Sequence, residues 1–133
     1  MSCETVLTGL QACLLRVPGL RTVLAYEPAA FDDPPMAYIT PDKGTLEHGV
    51  QSITTLYSMN ARVVVRWTSN EYAALQVIRF IDSVPAAVRA DPMLGGHAQY
   101  ARVTDFEVGF VDAGNVRYHV VDFTVTIKGK TGG

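Results

Sequence analysis

The chain has little cysteine, little charge and no long apolar run, and each shortage closes off a class of protein. Cys3 and Cys13 are its two cysteines. On one helix they would stand about 15 Å apart along the axis, beyond the ~7 Å between Cα atoms that a disulfide tolerates. A disulfide framework is thereby excluded, and two buried or half-buried thiols in a reducing compartment are expected. No C-x-x-C pair exists, and His48, His97 and His119 have no partner at metal-ligand spacing, so no metal site is expected. The N-terminus lacks a basic stretch followed by an apolar one, so no signal peptide is expected. No run approaches the ~20 apolar residues of a membrane span.

Charged residues make up 18% of the chain, against a usual share of about 25%. The net charge of −2 offers no basic field to nucleic acid or to an acidic membrane. With 48% apolar residues, the shortage of charge means either a deep core or a surface that another subunit covers. A length of 133 residues fits one domain, 1–133, with a core of its own.

Periodicity orders the elements. Val6, Leu10, Cys13, Leu14 and Val17 draw one stripe of a helix over Cys3–Arg16, with Ser2 as its cap and Pro18-Gly19 as its stop. Two short strands follow, Leu20–Pro28 and Pro35–Thr40, partnered across a turn at "AAFDDPP". Residues 41–56, "PDKGTLEHGVQSITTL", are polar, rich in Gly, Ser and Thr, and irregular. They read as a long mobile loop, and connections of more than ~12–15 residues are uncommon unless functional or disordered. The run "YSMNARVVVRW" then alternates over its whole length, a half-buried antiparallel strand in which only Val64 spoils the polar face. Thr68 and Glu71 make a T-x-x-E capping box for a helix with Ala74, Val77, Ile78 and Ile81 as its core stripe, running through Pro85 toward Asp91-Pro92.

The chain closes on a hairpin around Asp112–Asn115, with a loose tail at 129–133. Both arms of the hairpin change phase. Pairing Phe110 with Val116 brings Val103 opposite Phe123 and puts the two phase changes at one level. A flipped alternation buries the other face or marks a bulge. The expectation is that the base of the hairpin covers the domain's own core while its tip is covered by something else.

Chemistry was sought and little was found. "GKT" at Gly129–Thr131 lacks the upstream glycine and the following helix that a phosphate loop needs, and "MLGGH" reads as a tight turn. Asp105 and Asp122 come near each other in the proposed register. Paired carboxylates can do acid–base work, but solvation or pairing with Arg62, Arg66 or Arg102 is the stronger reading. No nucleophile–base or metalloprotease motif is present, so no catalytic residue and no cofactor is expected. Arg62 and Arg66 lie on the opposite strand face from Tyr57 and Trp67, which is no platform for stacking bases.

The strand "ARVVVRW", the helix "EYAALQVIRFIDSV", the turn "ADPMLGG" and the hairpin "FEVGFVDAGNVRYHVVDFTVTIKGK" come in a characteristic order. In that order and pattern, over nearly its whole length, the chain resembles the tail terminator (tail completion) proteins of long-tailed, siphovirus-like bacteriophages. The resemblance implies an α+β fold, a mostly antiparallel twisted sheet of about five strands packed against two helices in the order α-β-β-β-α-β-β. It implies a structural protein of the virion, made in the host cytoplasm and placed at the head-proximal end of the tail. Such proteins form a homo-oligomeric ring of six that caps the tail tube protein, ends its polymerisation and docks the head-side connector. DNA passes through the channel without being read, and no membrane is involved. The residues expected at subunit or tube contacts are Gly44, Thr45, Leu46, Glu47, His48, Val50 and Ile53 in the loop. In the hairpin they are Phe106, Val108, Phe110, Val116 and Tyr118, with Arg62 and Arg66 as further candidates. Two other readings stand beside this one: a head–tail connector of the same general fold, and a small-molecule-binding α+β domain with an enclosed apolar pocket.

Overall fold

The computed structural model describes residues 2–31, 34–67 and 70–132. Thr68 of the expected capping box, Asp32 and Asp33 of the expected turn, and Gly133 lie outside them. The fold is α+β. Helix α1 (Cys3–Leu14), strands β1 (Val23–Leu24), β2 (Met36–His48) and β3 (Ser52–Arg66), helix α2 (Asn70–Ala90), and strands β4 (Tyr100–Ala113) and β5 (Val116–Gly132) follow in that order. The five strands form one sheet ordered β1-β2-β3-β5-β4.

Helix α1 begins where Ser2 and Thr5 satisfy each other's amides. The Thr5 N–H donates to the Ser2 hydroxyl at 3.2 Å and the Ser2 N–H to the Thr5 hydroxyl at 3.0 Å, a capping box built with Thr at the third position. Its stripe Val6, Leu10, Cys13 and Leu14 enters the core as the periodicity expected. In α2 the expected stripe is one residue out of phase. Ala73, Val77, Phe80, Val84 and Val88 are buried, while Ala74 and Ile78 are exposed and Ile81 is half-buried. The helix carries more apolar residues than one stripe requires, so spacing alone could not choose between neighbouring phases.

Both helices cover one face of the sheet, where Met59, Ala61, Val63, Val65, Val121, Phe123, Val125 and Ile127 make the main core. A second, smaller cluster lies on the opposite face: Met36, Tyr38, Val64, Tyr118 and Val120. Phe31 closes it, edge-on to Tyr118 at 5.0 Å and stacked on Tyr38 at 6.2 Å. This second cluster explains the apolar intruder on the polar face of β3, since Val64 sits in its centre. It also explains the phase change in β5, where Val120 and Val121 are buried on opposite faces.

Three expectations are corrected. First, residues 41–56 are not a loop. Pro41–His48 continues β2 and pairs with Met59–Ile53 of β3, with a bulge at Asp42, around a turn at Gly49–Gln51, so the chain forms a long two-stranded arm. Polar, β-branched residues on solvent-washed strands lack the apolar alternation that marks a strand, and backbone pairing supplies what the pattern did not. Second, the end of the chain is not loose: β5 runs to Gly132 and pairs with Ser52–Leu56 along that arm. Third, the hairpin register differs. The β4–β5 turn has just two residues, Gly114 and Asn115, at φ 58° and 64°, the left-handed pair that matches strand twist. Phe110 therefore faces His119, Val103 faces Val125, and a bulge at Thr104 re-phases β4. The pair β1–β2 runs parallel, because the connection between them crosses the second face of the sheet and carries Phe31 onto Tyr38 and Tyr118.

Candidate assembly surface

The bulge at Thr104 decides what the second half of β4 presents. Beyond it Phe106, Val108 and Phe110 stand opposite Phe123, Val121 and His119, hence on the helix-bearing face of the sheet. Phe123 and Val121 lie in the main core, yet their partners are 50% (Phe106) and 42% (Val108) exposed, and Phe110, opposite His119, is 55% exposed. β4 is an edge strand, and among the described residues no further strand pairs with its outer side.

Aromatic contacts turn these residues into an ordered slab. Phe110 stacks on the His119 ring at 4.5 Å and meets Trp67 edge-on at 6.4 Å. The Arg117 guanidinium lies 5.3 Å from the Phe110 ring centre and 6.0 Å from that of Trp67, while it donates to Asp112 at 3.4 Å. Burial pushes the His119 imidazole below its usual pKa, and its Nδ1 is enclosed with no hydrogen-bond partner, so the neutral ring is favoured. On α2, Ile78 is exposed. Pro85, two turns on and so on the same flank, lines a depression with Ala101, Arg102 and Val103 of β4. Ile78 thus extends the apolar surface on the β4 side of the helix.

The other residues of the hairpin tip lie on the second face. Val116 is exposed there, but Tyr118 is enclosed by its own chain in the cluster around Phe31. Of the residues expected to lack cover from their own chain, Phe106, Val108, Phe110 and Val116 are exposed, whereas Tyr118 is not.

At the opposite end of the sheet stands the arm. Every residue from Pro41 to Gln51 is exposed, Leu46 and Val50 among them, and Ile53 is half-buried. Gly44 is required there, since a Cβ would stand 2.7 Å from the Leu56 carbonyl oxygen. Thr45 and Glu47 pair with Leu56 and Thr54, while Leu46 and His48 pair with Thr55 and Ile53. β4 ends at the level of Lys128, so the arm, braced by the end of β5, extends past it.

The charged candidates separate. Arg62 is held within the chain, its Nε and Nη2 donating to the two Asp122 carboxylate oxygens at 2.6 and 3.0 Å and its Nη1 to the Tyr38 hydroxyl at 3.2 Å. That fork raises the Arg62 pKa further. Burial raises that of Tyr38, against the pull of the neighbouring guanidinium. Arg66 is exposed, opposite Tyr118. Asp105 faces Thr124, and Glu107 is the residue opposite Asp122; all three border a shallow depression of ≈ 290 Å³ with Asp42. Among the described residues no three His, Cys, Asp or Glu side chains are placed to hold a metal ion, and no helix is long and apolar enough to cross a membrane.

Sequence reasoning missed Trp67, His119 and Arg117 as parts of the slab. Trp67 looked like the last core residue of an alternating strand, and no feature of the sequence marks it as lying beyond the last paired residue of β3.

No protein-family model matches the chain, and no curated protein matches it. Among solved structures it is weakly similar to a chain in the virion of a native gene transfer agent (GTA) particle. The TM-score is 0.34 at 9% identity, over 90% of this chain and 84% of the other.

Proposed function

We propose that this chain is a structural virion protein whose copies close into a ring, six-membered as the resemblance to tail terminators implies. The ring caps the head-proximal end of a phage tail tube, ends tube polymerisation and offers its other face to the head-side connector. DNA crosses the ring without being read. The reading requires no catalytic step and no cofactor.

The observation that supports it is the slab of Phe106, Val108 and Phe110, three large side chains left about half exposed side by side on one face of an edge strand. Ordered apolar surface of this kind marks a contact with another macromolecule. A protruding arm at the other end of the sheet gives the molecule two unlike surfaces, which is what a closed ring of head-to-tail contacts uses.

The test removes the arm alone. Replacing Leu46–Thr55 by Asn-Gly closes the hairpin on the Thr45–Leu56 pair with a favoured turn. Thr55 is the one buried residue lost, so stability should fall by no more than about 1–2 kcal/mol. The expected result is a folded protein by circular dichroism that no longer caps tail tubes in electron micrographs, where the parent protein forms rings at tube ends. Normal capping by the shortened protein would refute the reading.

A further inference from the structure

We infer that the β2–β3 arm of one copy lies along β4 of the next, continuing the sheet from copy to copy and covering the Phe106–Phe110 slab. The inference deepens the ring-forming reading, from which it takes only the premise that copies associate.

The two surfaces sit at opposite ends of one sheet. β3 starts in the arm at Ser52 and ends at Arg66 beside Tyr118, near the β4–β5 turn and the slab. A twofold contact needs one patch that matches itself, whereas two unlike patches at opposite ends call for a head-to-tail contact. The occupant is therefore a second copy of this chain.

The backbone makes the same match. β4 is an edge over Tyr100–Ala113, and β2 is an edge beyond the two residues that β1 covers, Ala37 and Tyr38. Both carry unpaired N–H and C=O groups, which another strand satisfies best. β2 and β4 run in opposite directions, because the pairings β2–β3, β3–β5 and β5–β4 are all antiparallel. Joining one copy's β2 to the next copy's β4 thus gives an antiparallel pair without inverting the subunit.

The side chains fall on the right faces. Leu46 pairs with Thr55 and Gly44 with Tyr57, in step with Met59 on the helix-bearing side. Phe106 and Val108 pair with Phe123 and Val121 on that same side. In the joined sheet Leu46 comes up beside the slab, with Val50 at the end of the arm, and Thr45 and Glu47 turn to the other face. The eight residues Pro41–His48 reach about 26 Å, long enough to run the length of the slab.

Two blocked proteins test this. One carries Leu46→Asp and Val50→Asp in the arm, the other Val108→Asp and Phe110→Asp in the slab. All four positions are exposed, and circular dichroism verifies folding. The parent protein should associate beyond a dimer at about 100 µM, where mass action favours assembly. Each blocked protein alone should be monomeric by light scattering. An equal mixture should give dimers and nothing larger, because each pair has one intact arm facing one intact slab. A blocked protein that keeps the parent's size, a mixture that stays monomeric, or a parent that is itself monomeric would overturn the inference. A photo-reactive residue at position 46 of the otherwise unaltered protein gives a second readout that is independent of the blocked variants' folding. Its cross-link should map to 104–111 of another copy, and a cross-link elsewhere overturns the contact. Rings that cap tubes but cross-link elsewhere sink this inference alone; the mapped contact in a protein that caps nothing sinks only the capping role.

Discussion

His119 couples the candidate surface to pH. Its ring is sandwiched on Phe110, its Nδ1 has no partner, and burial lowers its pKa. The unfolded chain then binds a proton more readily than the folded one. This contribution to stability is complete above the ordinary histidine value of about 6.5 and is lost as pH falls through the lowered folded value. His119→Gln should therefore show a smaller drop in urea midpoint than the parent between pH 7.5 and 5, as the difference between the two proteins. Equal drops would mean that the imidazole is solvated. Arg62 illustrates the opposite fate for a polar group in this sheet. Its fork to Asp122 and its bond to Tyr38 use it up within the subunit, which leaves Arg66 as the freer of the two arginines first considered for contacts.

Between elements, α1 comes close to the turn at Leu94–Gly96. A Cβ on Gly9 would stand 2.8 Å from the Leu94 carbonyl oxygen and 2.9 Å from the His97 Cβ. Alanine gains about 1 kcal/mol of helix propensity, but the obstacle is backbone and must move, at a cost of roughly 1–3 kcal/mol. Gly9→Ala should thus lower stability by about 1 kcal/mol in urea titration, and a more stable variant would show that the turn gives way freely. Spacing in the sequence was enough to find α1, the alternating part of β3 and the β4–β5 hairpin, because each buries one clean stripe or face. It failed where burial was not the cause of structure. The arm at 41–56 is held by backbone pairing, with side chains exposed throughout 41–51, so those residues carry no alternation to read. The register of β4 depends on a two-residue turn and one extra residue at Thr104, and neither alters the apolar pattern until the strands are laid side by side. In the candidate surface, Phe106, Val108 and Phe110 were legible as apolar residues in the wrong phase, whereas the enclosure of Tyr118 depended on Phe31, which comes from a connection with no periodicity.

Across the whole molecule, the low charged fraction and the half-exposed slab make apolar burial, rather than ion pairing, the driving force of the proposed association. Such contacts are nearly independent of ionic strength, while contacts between exposed charges weaken as the screening length shrinks from about 10 Å at 0.1 M to 3 Å at 1 M salt. The self-association constant should change by less than about threefold between 0.1 and 1 M sodium chloride in sedimentation equilibrium. A loss of tenfold or more would transfer the interface to charged residues such as Arg66, Arg117 and Asp112. The last stretch of β5 has a practical bearing on every one of these measurements. Because Lys128 pairs with Leu56 and the strand continues to Gly132 beside Ser52, the last described residue of the chain stands at the tip of the arm. An affinity tag placed there would crowd the protruding hairpin.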